Sequence, residues 1–226
     1  VGSEQLDEVR AWYNGYLFGG HVIYNPWSIL SYAEEGEFGP YWVNTGSSDL
    51  IEILATKKGA GLTEKSEALL HGETIEAEVD DNVVLRDIEH TTDALWNFLL
   101  MSGYLKLAKL EVREGRYYGE LCIPNKEIRL VYHDVFRRWL HRVTPSPAYI
   151  DALVKALLSG DAASVQKILE EILLRALSYQ DPGARDPEKL YHGLLLGLLV
   201  HLESHYDVRS NREAGLGRAD MLLRPK

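Results

Sequence analysis

From Lys189 to Glu203 the chain is apolar nearly all the way round a helix, with Leu190, Leu194, Leu195, Leu196, Leu198, Leu199, Val200 and Leu202. A helix without a polar face has to be buried, so the C-terminal part of the chain must be built around this one. Gly193 and Gly197, four residues apart, let another backbone approach closely. The helix start is also marked. Asp186-Pro187-Glu188 reads as an N-cap, a proline at the first helical position and an acid at the second. Glu188 and His192 stand at i and i+4, on one face. The longest uncharged apolar run, Leu194–Val200, is too short to span a bilayer.

The next segment is a hairpin in which charge alternates. A four-residue turn at Ala214–Gly217 pairs Glu213 with Arg218, Asn211 with Asp220 and Arg209 with Leu222, all on one face. Val208, Ser210 and Arg212 share the other face with Leu223, Met221 and Ala219, and its apolar end suits packing on the buried helix. A strand face with two acids and two arginines is unusual for a half-buried sheet and is what a hydrolytic site needs. Carboxylates hold Mg²⁺, the metal activates water, and an arginine grips a phosphate. Plainer duties remain open. Glu188 can complement the helix dipole, worth roughly 0.3–1 kcal/mol. His192 can be a packed helix residue, and Glu213 with Arg218 an ordinary cross-strand ion pair. Asp220 is harder to explain away, because Asp is disfavoured inside strands.

Charge is unevenly spread. The 226 residues carry a net charge of −10, which argues against a broad basic surface that tracks nucleic acid. From Ser178 to Lys226 seven acids meet seven bases, so residues 1–177 carry the whole excess. Within Asp207–Lys226 five bases outnumber three acids, which makes this the one stretch suited to a phosphate backbone. The hydrophobic share of 46% suits one or two globular domains. A single cysteine, Cys122, allows no internal disulfide, and the N-terminus shows no signal-peptide pattern, so a cytoplasmic setting is expected. The start Val1-Gly2-Ser3, without Met, reads as an excised fragment or a tag scar.

Upstream, a helix ends at Tyr13 and an aromatic, glycine-rich loop follows to Gly20. Asn25 and Pro26 open a helix to about Glu34, and a second aromatic loop spans Gly36–Asn44. Ser47-Ser48-Asp49 caps a helix to about Lys58, Thr63–His71 is a short amphipathic helix, and Glu73–Val79 alternates like a strand. Asp87–Ser102 is helical and ends at Gly103. Tyr104–Val112 and Arg116–Ile123 form a hairpin around Arg113-Glu-Gly115, and Lys126–His141 is a helix. Helix, hairpin and helix in that order resemble a winged-helix unit. Pro145-Ser146-Pro147 reads as a linker, followed by helices Ala148–Leu158 and Asp161–Tyr179.

Several blocks together carry a family resemblance. Trp12-Tyr-Asn-Gly-Tyr, Tyr24-Asn-Pro-Trp-Ser28, Tyr41-Trp-Val-Asn-Thr45, Gly103-Tyr-Leu105 and Ile123-Pro-Asn-Lys-Glu127 resemble the bacterial and archaeal AAA-ATPase-like family. Proteins of that family are usually followed by a domain of the PD-(D/E)XK nuclease superfamily. Tyr191-His-Gly193 and the run Ser210–Asp220 are similar to the opening of that domain.

The resemblance implies a mostly α, α+β chain in three parts. Residues 1–82 form the C-terminal, lid-like helical end of the ATPase module. Residues 83–145 form the winged-helix-like unit, and 146–226 a helical connector that leads into a truncated α/β nuclease-like fold. It further implies a site in which Glu188 and Asp220 hold Mg²⁺, Glu213 is an auxiliary acid, and Arg218, Arg212 and Asn211 bind substrate. Nucleic acid and the protein's own upstream ATPase core are the implied partners, with no membrane. ATP enters only through that core, because no Gly-x-x-x-x-Gly-Lys-Ser/Thr occurs in the chain. No Glu-x-Lys follows Asp220 either. The expectation is a parent enzyme that is an ATP-regulated, Mg²⁺-dependent phosphodiesterase and a fragment inactive on its own. The alternatives are a non-catalytic, ATP-switched interaction module with a degenerate nuclease fold, and a winged-helix DNA-binding regulator using Lys126–His141. The aromatic blocks themselves suit either base stacking or the packing of loops onto a small domain.

Overall fold

The computed structural model describes residues 3–18, 21–42, 51, 62–80, 92–144, 146–179, 187–203, 205–214 and 217–226, with the backbone alone for 3–4, 18, 63, 92, 143, 173, 175–179, 187–193, 195, 210–214 and 217–221. The elements in order are α1 (Ser3–Tyr13), β1 (Tyr16–Phe18), β2 (His21–Ile23), α2 (Pro26–Glu35), α3 (Leu62–Leu70), β3 (Ile75–Glu78), α4 (Thr92–Met101), β4 (Lys106–Arg113), β5 (Arg116–Cys122), α5 (Lys126–Val143), α6 (Pro147–Ser159), α7 (Ala162–Tyr179), α8 (Pro187–Leu202), β6 (Tyr206–Ala214) and β7 (Gly217–Pro225). This is a mostly helical α+β chain whose sheets, among the described residues, are small and antiparallel. It packs as two compact units, Val1–Ile51 with Gly59–Asp134, and Glu52–Lys58 with Val135–Lys226. The division falls inside α5, ahead of the Pro145-Ser146-Pro147 stretch. Among the described residues no helix is long and apolar enough to cross a membrane.

In the first unit α2 starts where its capping residues require. The Asn25 side chain accepts from the backbone N–H of Trp27 at 3.0 Å and of Ser28 at 3.4 Å, and Pro26 fills the first turn. The aromatic loop expected between Trp12 and Gly20 is partly strand, because β1 and β2 pair as a three-residue hairpin, Tyr16↔Ile23 to Phe18↔His21. Every β2 residue is exposed, so the segment has no buried alternation by which a sequence could announce it. The aromatic residues pack on one another. Tyr13 is fully buried, the Tyr32 and Phe38 rings stack at 4.6 Å, and Trp12 stacks on Phe38 at 5.7 Å.

The expected hairpin of β4 and β5 gains a third strand, in the order β3-β5-β4. Its turn is Glu114-Gly115, both with positive φ, the conformation a two-residue antiparallel connection requires. Asn97 ties α4 to the end of β3. It donates to the carbonyls of Glu78 (2.8 Å) and Asp93 (2.9 Å) and accepts from the N–H of Asp80 (2.9 Å). On α5, Ile128, Val131, Tyr132, Val135, Phe136, Trp139 and Leu140 are buried at three- and four-residue spacing, the stripe of an amphipathic helix.

In the second unit α6 ends at Gly160, with φ 70°, and Asp161 caps α7 by accepting from the Ser164 N–H at 3.1 Å. Helix α6 packs on α7, α7 on α8, and α8 on β6. The helix expected from Ser47 to Lys58 lies outside the described residues apart from Ile51, as do Asp87–Thr91, Asp186 and Gly215.

Candidate functional site

Helix α8 is the core helix its composition demanded. Leu194, Leu196, Leu198, Leu199, Val200 and Leu202 are all buried. A methyl group placed on Gly197 would lie 2.9 Å from the Leu140 Cβ, so glycine is needed there for close packing. What approaches Gly197 is therefore a side chain of α5 rather than a second backbone.

Behind α8 the hairpin takes the register expected from its turn. Glu213 faces Arg218, Arg212 faces Ala219, Ser210 faces Met221 and Arg209 faces Leu222. The same unshifted ladder sets Asn211 opposite Asp220. Asn211, Glu213, Arg218 and Asp220 thus occupy positions on one side of the ribbon, Arg212 is on the other, and Glu188 follows Pro187 in the first turn of α8. The side chains of Glu188, His192, Asn211, Arg212, Glu213, Arg218 and Asp220 lie outside the described residues.

Where this ribbon's side chains are described, the two sides differ as the pattern requires. Val208 is buried on the side of Arg212. On the side of Asn211, Arg209 is only part-buried, and its Nε donates to Asp207 Oδ1 at 3.2 Å. Arg209, one of the two arginines expected on the charged face, is therefore engaged by a carboxylate two residues before it. Among the described residues no group of three or more His, Cys, Asp or Glu side chains converges as metal ligands would.

A second polar constellation, to which the sequence pattern assigned no role, lies in the first unit. Glu127 follows a capped helix start, where Asn125 Oδ1 accepts from the Ile128 N–H at 3.0 Å. Its side chain is fully buried. Ser28 Oγ donates to Oε2 at 2.8 Å and the Trp42 N–H donates to Oε1 at 2.7 Å. One carboxyl group thus joins the start of α5, the first turn of α2 and the turn at Trp42. Burial raises its pKa above the ordinary value, and the Trp42 and Ser28 donors oppose that rise.

The neighbouring blocks interlock in the same region. Asn125 Nδ2 donates to the Asn14 carbonyl at 3.0 Å, and the Asn25 N–H donates to the Tyr13 carbonyl at 3.0 Å. Gly15 has φ 111°, and a Cβ there would lie 2.5 Å from the Pro124 carbonyl oxygen. Trp42 and Tyr104 rings meet at 5.3 Å. Burial pushes the Tyr16 pKa up to about 12, against the opposing pull of the Asn125 and Asn25 side chains. The aromatic, Asn and Gly blocks between Trp12 and Glu127 are thus parts of one packed, hydrogen-bonded assembly. The sequence signal for it was Pro124-Asn-x-Glu127, a helix start whose acid is followed at once by an apolar stripe.

No family model and no solved structure matches the chain. It is similar to a curated protein of Azotobacter chroococcum mcd 1 described as "Uncharacterized protein in vnfD 5'region", with 28% identity over 227 residues. The match covers 96% of this chain and 40% of that protein, so the chain spans well under half of its relative's length.

Proposed function

We propose that this chain is part of a longer AAA-ATPase-like protein and that α8, β6 and β7 belong to a PD-(D/E)XK nuclease-like domain acting on nucleic acid. The observation that carries the reading is the succession of a buried helix with Glu188 in its first turn and a hairpin whose register gathers Asn211, Glu213, Arg218 and Asp220 on one side. The donor set fits a divalent cation. Carboxylates are the hard oxygen ligands Mg²⁺ prefers, and Asp220 and Glu188 are the residues that hold it in this reading. A cation bound there supplies polarisation of the phosphodiester and an activated water. Arg218 orients the phosphate, Asn211 donates to it, and Glu213 supports the acid cluster, whereas Arg212, on the other side of the ribbon, is not placed to reach that phosphate. In the first unit, α4, the β4–β5 hairpin and α5 form the winged-helix-like element, with α1 to α3 as the end of the ATPase module.

The test is metal-dependent cleavage by the longer natural protein. Asp220→Ala is expected to lower the Mg²⁺-dependent rate by on the order of 10²–10³, the scale of removing one electrostatic contributor to a transition state. Cleavage at the wild-type rate in that variant would sink the assignment.

One observation favours a second reading, a non-catalytic interaction module. On the β4–β5 hairpin Leu110, Val112 and Tyr117 are exposed, with Val112 and Tyr117 directly opposite one another. An apolar hairpin face suits a protein contact better than a DNA backbone. In this reading the longer protein cleaves no nucleic acid with any divalent cation, and Val112→Lys disrupts its assembly.

A further inference from the structure

The second unit holds a groove of about 650 Å³ between α6, the end of α8 and the start of β6, within the size range of small-molecule sites. Its apolar lining includes Val154, Leu158 and Leu202. Its polar groups are mostly donors: the Lys155 ammonium, the imidazoles of His201 and His205, and the Tyr206 hydroxyl. Asp151 is the carboxylate in the lining, and its Oδ1 lies 3.8 Å from His201 Nε2, so its charge is answered within the groove when that imidazole is protonated. Lys155 makes no salt bridge among the described residues.

The turn that carries His205 is held by its backbone. The His205 N–H donates to the Leu202 carbonyl at 2.9 Å, and the Lys226 N–H donates to the His205 carbonyl at 3.0 Å. The Lys226 ammonium in turn donates to the Glu203 carbonyl, which keeps a further cation beside this turn. On a chain of net charge −10, a groove lined by one lysine, two histidines and a single acid runs against the background. The combination of apolar lining residues, a tyrosine ring and several donors in one groove selects a ligand with a planar or apolar body and an anionic, many-acceptor headgroup.

We propose that this groove binds a phosphate monoester of the nucleoside monophosphate type, with Lys155, His201 and His205 on the phosphate and the body over Val154, Leu158 and Tyr206. The site is separate from the proposed metal site. His201 and Glu188 are 13 residues apart on α8, about 20 Å along the axis at 1.5 Å per residue. Occupancy of the groove therefore does not depend on the nuclease reading.

The test titrates AMP, inorganic phosphate, acetate and adenosine into the chain. NMR follows the imidazole signals of His201 and His205, and calorimetry gives affinities. AMP is expected to shift both imidazoles, with phosphate moving the same signals more weakly. Adenosine is expected to bind at least about tenfold more weakly than AMP, as is AMP to Lys155→Glu, one logarithmic unit of affinity. Lys155 is exposed, so that variant keeps the fold, and His205→Ala is the second variant. The proposal is overturned if about 10 mM AMP leaves both signals unmoved, a concentration at which even weak specific binding saturates. It is also overturned if both variants bind AMP as the wild type does, if adenosine binds as tightly as AMP, or if acetate matches phosphate.

Discussion

The two units handle polar side chains in opposite ways. In the first, Glu127, Ser28 and Asn97 are buried, and their polar atoms have partners on other elements. A buried carboxyl in that setting works as a pin, since leaving its donors unanswered costs more than the bond itself contributes. In the second unit the described charges of the ribbon, Asp207 and Arg209, pair two residues apart on one strand and remain part-exposed. A pair of that kind contributes little to stability. Polar residues beside Asn-Pro, Pro-Asn and aromatic blocks are therefore architecture here. The alternating charges of β6 and β7 are where the proposed chemistry is sought.

The comparison breaks most directly on one pair of variants. Glu127→Ala removes the acceptor for both Ser28 Oγ and the Trp42 N–H. It is expected to lower the unfolding free energy by about 2–4 kcal/mol, read by urea denaturation. Asp220→Ala is expected to leave it within about 0.5 kcal/mol, because the proposed reading gives that acid a chemical role and no packing role. A large loss at Asp220 with none at Glu127 would reverse the roles assigned to the two regions.

A smaller effect tests whether the second unit has a rigid core beneath its charged ribbon. The methyl group added by Gly197→Ala meets the Leu140 Cβ, an atom fixed to the α5 backbone that no rotamer change can move away. The expected loss is about 1–3 kcal/mol, the usual cost of overpacking. A neutral substitution would mean that α8 shifts freely against α5, and a site relying on Glu188 for its geometry would lose its support.

Legibility in the sequence followed the same physical division. The capped start of α2, the core character of α8, the β4–β5 turn and the β6–β7 register all come from local rules, namely caps, periodicity and turn length, and the structure has them. The β1–β2 hairpin left no pattern because its residues are exposed. The addition of β3 beside β5 is a long-range pairing that no local window contains. Glu127 was missed for a related reason. Its donors lie 99 and 85 residues away in the chain, so the local Pro124-Asn-x-Glu127 helix start marks the acid without showing that it is enclosed. For Glu188 and Asp220 the sequence pattern supplies the residue types, and the helix start and the β6–β7 ladder supply their backbone positions.

The smallest expected effect, a dependence on pH, tests whether burial or the surrounding donors dominate at Glu127. Burial raises its pKa in the folded state above the ordinary value of 4.5. The folded chain therefore holds this proton more tightly than the unfolded chain does. The resulting contribution to stability is fully present below 4.5 and is lost as pH rises through the folded-state value. Glu127→Gln has no such proton, and its amide, like the protonated acid, offers one donor group and one acceptor. Groups common to both proteins cancel in the difference between their unfolding free energies. That difference, wild type minus variant, is expected to fall as pH rises from the ordinary value of 4.5 through the folded-state value and then to level off. If it rises with pH instead, the α5 N-terminus and the two donors favour the charged carboxylate by more than burial disfavours it. Glu127 would then be a charge-assisted clamp, and the contrast with the ribbon would rest on its enclosure alone.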